Sequence, residues 1–410
     1  LNQAEAAIEY NKGTQYLNKK NYKKAIALFK KVLREYPCKE ANTNIGNAYR
    51  AVGMDSLMFK HLEAALDDNV PFLDVTSETD VHALNNLGLA HYMYGRDEEA
   101  IRCYNKAVKK KPEFWEAWWN CSTAFLRLAS SGDSSRWARG WEMYKARFLK
   151  NEPIKLKNKK ENLVYWDGIT PGSSIIVLTE QGIGDNIMWG RYLPLLAKKF
   201  DKVYVQCDPT IETFFTDYHP TRDAIHTCAE VAYPMCSLGE HFPDMPPGNW
   251  LHDKNFGCTT LPTERPNVGI IWAGSSTHAN DAYRSVDIRR FYPLAKHCNL
   301  YSLTPGFAGN KYVKPLPISS WDDTATHVKG LDLVIGIDSS VMHLVGSMGR
   351  EGWLLQPYKE TDFRWGVIPD PSVISTRSVW YSSIEVFNNP QSWEFVFKNV
   401  EDHLVSRFAS

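Results

Sequence analysis

Small and aromatic residues recur at fixed intervals over the first 150 residues. Gly13, Tyr16, Ala25, Phe29, Val32 and Pro37 form one set. Gly88, His91, Ala100, Tyr104, Ala107 and Pro112 repeat it with the same internal spacings. Gly46, Tyr49, Met58, Leu62 and Ala65 lie between them, and Pro71 closes that set one place late. A degenerate fourth set starts at Trp118 and Phe125 and resumes over residues 137–148. Intervals of three and four residues predict helices, and the regular proline predicts where each second helix stops. Each set therefore reads as two antiparallel helices. The glycine and alanines mark close approach and the aromatics fill the gaps. One such pair cannot bury its own apolar face, so the pairs stack.

This pattern resembles the tetratricopeptide repeat, whose unit is about 34 residues. Segment FLDVTSETD, residues 72–80, is extra and is expected to loop out between units two and three. Such an arm serves either packing and oligomerisation or the holding of an acceptor. Asn44, Asn47, Asn85 and Asn86 are candidate groove residues, or equally solvated polar positions.

After Phe148 the pattern changes. KNEPIKLKNKKEN is a charged connector, and Trp166-Asp167-Gly168 reads as a turn. SSIIVLTE is an apolar run of strand length. It feeds a turn containing Gly182 and Gly184, then an amphipathic helix expected to run on through LPLLAKKF, then a second strand, KVYVQCD. Strand, glycine-rich turn, helix and strand open a doubly wound α/β unit. A complete GxGxxG fingerprint is absent, which argues against hydride transfer. Asp185, in the first helical turn, reads either as a cap or as a general base. Glu180, at the strand end, has a similar ambiguity, with positioning of the loop as a further reading.

A second unit begins with RPNVGIIWAG, a strand that leaves through Trp272 and Gly274 into SSTHANDAYRS. That loop holds Ser275, Ser276, His278, Asn280, Asp281 and Arg284. Loops past the carboxyl ends of parallel strands hold ligands in open sheets. Arg284 is the candidate phosphate ligand, with a surface or interdomain ion pair as its other reading. LDLVIGID is a continuous buried strand. It enters Asp338, Ser339, Ser340, Val341 and His343, where serines start a helix whose free N–H groups suit a diphosphate. His343 alone fits a buried core position equally well. SWEFVFKNVEDHLVSRF closes the chain as an amphipathic helix.

Composition narrows the class. The chain has 410 residues, too many for one ordinary core. Lys plus Arg and Asp plus Glu each total 47, so no overall basic charge points to nucleic acid. The eight cysteines form no CxxC pair and the histidines no HExxH, so no metal site is expected. Fourteen tryptophans fit helical repeats, and they also fit a carbohydrate or protein partner. No run of about twenty apolar residues occurs, and LNQAEAAIEY contains no apolar leader. The expectation is a cytoplasmic protein without a membrane span.

EQGIGDNIMWGRYLPLL, WAGSSTHANDAYRSVD, DTA, LDLVIGIDSSVMHLVGSMG and DFRW, in that order, resemble the tetratricopeptide-containing glycosyltransferases of bacteria and phages. That family is related to the lipopolysaccharide heptosyltransferases and more distantly to the O-linked N-acetylglucosamine transferases. The resemblance covers the whole chain. It implies a fold of class α plus α/β, with a tetratricopeptide arm before a GT-B fold of two Rossmann-like domains. It implies four parts: the arm over 1–150, an acceptor-side domain over 151–262, a nucleotide-sugar domain over 263–385, and a closing helix over 386–410.

By the same resemblance Asp185 is the base, and Arg284 matches the family's basic residue, commonly Lys, in the loop after the first strand of the second domain. Asp338, Ser339 and His343 match the element whose amides and hydroxyl contact the diphosphate, with Ser339 in place of the usual Thr. Gly182, Gly184, Trp272, Gly274, Ser275, Ser340 and Val341 complete the expected binding set. YPMCSLGEHFP departs from the family's acceptor segment around Ser237 and Leu238, lacking its Asp and Pro. The implied chemistry is inverting and metal-independent, with a nucleotide-diphosphate sugar as co-substrate and a protein, glycan or other hydroxyl as acceptor. The repeats are the expected surface for the acceptor or for a homo-oligomer. Two other classes remain: a repeat scaffold with an inactive GT-B part, and another nucleotide-linked enzyme of the same fold.

Overall fold

The computed structural model describes residues 2–74, 78–149, 164–222, 229–242, 245–276, 278, 280–390 and 392–408. The connector after Phe148 lies outside them. Contacts divide the chain into two compact units, residues 1–125 with 142–151 and residues 126–141 with 152–410.

The first unit is helical. Its helices are α1 (Gln3–Asn18), α2 (Tyr22–Glu35), α3 (Lys39–Ala51), α4 (Asp55–Ala64), α5 (Thr79–Met93) and α6 (Asp97–Lys110), followed by parts of α7 (Trp115–Ser130) and α8 (Trp137–Tyr144). The repeat spacing has one physical source. In each of three pairs the first helix presents a glycine to a large side chain sixteen residues later. A Cβ at Gly13 would lie 2.6 Å from the Phe29 ring, at Gly46 2.8 Å from Leu62, and at Gly88 2.5 Å from the Tyr104 ring. Phe29, Ile45, Tyr49, Met58, Leu62 and Leu87 join in one core.

Gly88→Val should destabilise this unit by about 2 kcal/mol or more, because the fully buried Tyr104 ring has nowhere to retreat. Denaturant melts check this. Adding Tyr104→Leu should recover part of the loss, and a strictly additive double variant would refute the contact.

The described part of the extra segment is tied down. Leu73 is buried, and its N–H donates to Glu40 Oε2 at 2.8 Å, while that of Asp74 donates to Glu40 Oε1 at 3.1 Å. Residues 75–77 are outside the described set.

The second unit is a mixed α/β region with two sheets. The first contains β1 (Gly172–Leu178), β2 (Phe200–Gln206), β3 (His219–Thr221) and β4 (Val231–Pro234), in the order β3-β2-β1-β4, all parallel. After β1 come α9 (Ile183–Trp189) and α10 (Leu193–Leu196). The single helix expected through LPLLAKKF is thus broken, with a 3₁₀ turn over Gly190–Tyr192. Two residues explain the break. Pro194 supplies no N–H at the start of α10. Gly190 lies against Trp250, whose ring would be 2.2 Å from a Cβ there.

The second sheet has β5 (Asn267–Ile271), β6 (Asn299–Ser302), β7 (Val313–Lys314), β8 (Leu333–Ile337), β9 (Gly352–Leu355), β10 (Ser375–Arg377) and β11 (Ile384–Phe387). Between them lie α11 (Asp281–Arg284), α12 (Trp321–Gly330) and α13 (Ser340–Ser347), and α14 (Trp393–Phe408) follows. The order is β10-β11-β9-β8-β5-β6-β7, parallel except for the β10–β11 pair. The chain reverses its direction of travel on either side of β5. Helix α14 buries Val396, Phe397, Val400 and Leu404 in the core of this sheet.

Residues 126–141 of the degenerate fourth repeat count with the α/β region, and their contacts show why. Arg127 donates to the carbonyl of Thr361 at 3.0 Å. Trp141 packs on Trp189 and against Gly239, and Trp137 on Trp380. The repeat lost its regular spacing where its side chains turned to the second unit's core. Among the described residues no helix is long and apolar enough to cross a membrane.

Candidate functional site

Within the second unit, the loop after β1 and the start of α13 meet. Gly184 makes this approach possible. A Cβ there would lie 3.0 Å from Ser340 Cα and Oγ and 3.1 Å from the His343 ring. The loop itself is held in an unusual shape, because Gln181 has φ +59°. A bulky residue adopts that conformation only where its surroundings impose it.

The meeting encloses a cleft of about 430 Å³. Small-molecule sites fall at about 300–1,000 Å³. Its walls include Gly182, Gly184, Asp185, Gly274, Ser275, Arg284, Asp338, Ser339, Ser340, Val341 and His343. Trp272 is the exception among the expected binding residues. It packs on Phe307 beside the sheet core and is not part of the cleft wall. The resemblance alone puts Trp272 in the binding set, and its ring belongs to the layer over the sheet.

Asp185 caps its own helix. Its Oδ2 accepts the Gly182 N–H at 2.9 Å, and its Oδ1 pairs with Arg364. Arg364 also donates to Asp362 Oδ2 at 2.7 Å. Arg284 is buried and donates to the carbonyl of Asp338 at 3.0 Å and toward Asp281 Oδ1 at 3.3 Å. Gly274 lets this guanidinium lie against the backbone, since a Cβ there would be 2.5 Å from its NH2. Asp338 accepts from Trp365 Nε1 at 2.9 Å. Burial, and then the charge of Asp362, push its carboxyl above the ordinary range.

Ser339 is the N-cap of α13, yet its hydroxyl makes no capping bond. Its buried Oγ has no hydrogen-bond partner among the described residues. An uncommitted buried hydroxyl at a helix start is a ready donor to a ligand oxygen.

His343 is fully enclosed. It shares a hydrogen bond with the Tyr381 hydroxyl at 3.0 Å and stacks on Trp365 with centroids 4.8 Å apart. Burial, then the charges of Arg364 and Arg191, hold it well below the usual imidazole range. It is neutral in the fold, whereas in the unfolded chain it takes up a proton below its ordinary pKa of about 6.5. The unfolded chain then binds more protons, so His343 makes the fold lose stability as pH falls below about 6.5, by up to about 1.4 kcal/mol per pH unit. The raised Asp338 works in the opposite sense. Comparing wild type with His343→Gln in urea melts at pH 7.5 and 5 isolates the histidine. The variant should lose less stability on acidification, and equal losses would refute the assignment.

Arg364, Asp362, Trp365 and Tyr381 had no role assigned from the sequence. The signal was the DFRW run after β9, which puts Arg364 and Asp362 on the cleft wall. Glu180 lies outside this cleft. It is buried, accepts the Cys236 N–H at 3.3 Å, and lines a neighbouring cavity of about 380 Å³ that shares Gly182 and Ile183. In the arm, Asn44 donates to the Tyr10 hydroxyl at 2.9 Å, and Asn85 accepts from Asn120 at 2.9 Å. Both amides serve helix packing. Among the described residues no group of three or more His, Cys, Asp or Glu is placed to hold a metal ion.

Comparisons with known proteins bear on the arm. Tetratricopeptide repeat profiles match residues 81–114 and 6–37. No curated protein sequence matches the chain. Among solved structures, the crystal structure of MamA is 22% identical, covering 34% of this chain and 75% of that one, with a TM-score of 0.28. The first tetratricopeptide domain of Spaghetti (RPAP3), bound to the HSP90 peptide SRMEEVD, is 21% identical over 32% of this chain and 98% of that one, with a TM-score of 0.28. YrrB, described as a tetratricopeptide protein with an unusual peptide-binding site, is 19% identical over 36% and 73%, with a TM-score of 0.29. The helical arm of this chain contains tetratricopeptide repeats.

Proposed function

We propose that the α/β unit is a GT-B-type sugar transferase that uses a nucleotide-diphosphate donor. The observation that carries this reading is the convergence of the Gly182–Asp185 loop and the Ser339–His343 helix start on one cleft. Strand order supports it. In both sheets the first strand of the unit lies inside, with its successors on either side, and ligands bind at such reversals past the carboxyl ends of strands.

In this reading the diphosphate lies against the start of α13. Its amides and the Ser339 hydroxyl donate to the oxygens that gain charge as the sugar leaves. Asp185 removes the acceptor proton from the opposite wall. Arg284 holds the loop after β5 against Asp338 and adds positive potential. Its contacts to the Asp338 carbonyl and Asp281 make it a structural clamp as much as a phosphate ligand. The proposed chemistry is metal-independent. The tetratricopeptide arm is the proposed surface for a protein or glycan acceptor.

A second reading, a repeat-based binding protein with a silent cleft, is favoured by one observation. Both oxygens of Asp185 are already engaged, by Arg364 and by the Gly182 N–H. The tetratricopeptide profile matches fit this reading better than the first.

The test is a titration of the full chain with UDP-, GDP- and ADP-linked sugars, followed by assay of nucleoside diphosphate release. Binding of one donor with release that depends on an acceptor supports the transferase. If folded protein binds no donor at millimolar concentration, the binding-protein reading replaces it.

A further inference from the structure

Arg364 lies between two carboxylates. One of its terminal nitrogens pairs with Asp185, and the other donates to Asp362 at 2.7 Å. Its side chain is 10% exposed, lines the cleft, and lies over the Phe363 ring. The Asp185 carboxylate thus meets this guanidinium at Oδ1 and the Gly182 N–H at Oδ2. Yet the same guanidinium faces the space assigned to the diphosphate. Its planar fork matches phosphate and carboxylate equally well, so a phosphate entering the cleft competes with Asp185 for it.

We propose that Arg364 is a positioning residue that couples donor binding to the release of Asp185. The diphosphate draws the guanidinium away from Asp185, while Asp362 keeps hold of its other nitrogen. The freed carboxylate then accepts the acceptor's hydroxyl proton. The acceptor oxygen forms the new bond to the anomeric carbon, the bond from that carbon to the diphosphate breaks, and the nucleoside diphosphate carries off the electron pair. Without donor the base stays masked. Arg284 is not suited to this role, because its guanidinium is turned to the Asp338 carbonyl and to Asp281. The inference rests on reading the cleft as a nucleotide-sugar site and adds its order of events.

The experiment is calorimetric titration of the full chain with UDP, GDP and ADP, using wild type, Asp185→Asn, Arg364→Met, Arg364→Lys and the Asp185→Asn/Arg364→Met pair. Removing the guanidinium should weaken the bound nucleotide about 10- to 100-fold, the range of one charged hydrogen-bonding group. Arg364→Lys should fall between, since it keeps the charge without the fork. Removing the competitor should do the reverse, so Asp185→Asn should tighten binding about 3- to 10-fold. The double variant should bind like Arg364→Met, because the carboxylate then has nothing to compete for. A merely structural Arg364 would not make Asp185→Asn bind more tightly. Binding that is unchanged or weaker in Asp185→Asn overturns the coupling and leaves the nucleotide site standing. If no nucleoside diphosphate binds wild type, the site and the coupling fall together.

Discussion

Asp185→Asn should lower acceptor-dependent turnover by about 10²- to 10⁴-fold, the range that a positioned general base supplies. The substitution is close to isosteric, and its amide oxygen can still accept the Gly182 N–H that Asp185 accepts at 2.9 Å. The helix start is therefore kept, while the amide NH2 takes the place of the oxygen that met Arg364, so the ion pair goes together with the basic charge. Arg364 retains Asp362 as a partner at 2.7 Å, so the change does not leave a buried cation alone. Binding should survive while turnover collapses, which separates a base from a residue that shapes the site. If the asparagine variant turns over at the wild-type rate, Asp185 is a capping residue, and the proton must leave by another route.

The same carboxylate shows what a sequence can and cannot disclose. Its place was legible because strand, glycine turn and helix are neighbours in the chain. Its partner was not, because Arg364 lies 179 residues away. DFRW marked a feature of interest, but nothing in its spacing says which cation meets which carboxylate. Repeats are easier to read. Gly13, Gly46 and Gly88 each meet their partner sixteen residues on, so a local interval reports a tertiary contact. Where contacts stop being local, the interval dissolves, as in residues 126–141. The break at Gly190 and Pro194 was half legible. Proline alone permits a helix start, and the ring of Trp250 that requires glycine comes sixty residues later. Trp272 entered the binding set through the resemblance alone, and the strand it follows does not say that its ring packs on Phe307 and not in the cleft. The antiparallel β10–β11 edge was missed because three or four residues carry too little pattern.

Trp380→Ala should destabilise the α/β unit by about 3–5 kcal/mol, the usual cost of deleting a buried tryptophan. Trp380 is 1% exposed and stands where the strayed repeat, α9 and the second sheet's last strands meet. Its ring meets Trp137 and Trp189 edge-on, with centroids 5.4 and 5.6 Å away. Its indole N–H donates to Ser130 Oγ at 2.8 Å, and the Arg191 guanidinium lies 5.2 Å above the ring. Alanine leaves a cavity walled by two tryptophans and removes one of the two rings under Arg191, which keeps Tyr381 at 4.7 Å. The Arg191 bond to the residue's carbonyl, at 2.8 Å, is a main-chain contact and survives. A melting point lower by roughly 5–15 °C is the expected readout in calorimetry. Trp380→Phe should recover much of the loss, leaving the missing indole donor, about 1 kcal/mol, and the space that the smaller ring does not fill. The effect should reach the cleft, because the next residue, Tyr381, bonds His343. A variant that melts within a degree or two of wild type would mean that residues 126–141 do not depend on this aromatic cluster. The loss of repeat spacing there would then need a cause other than packing into the α/β core.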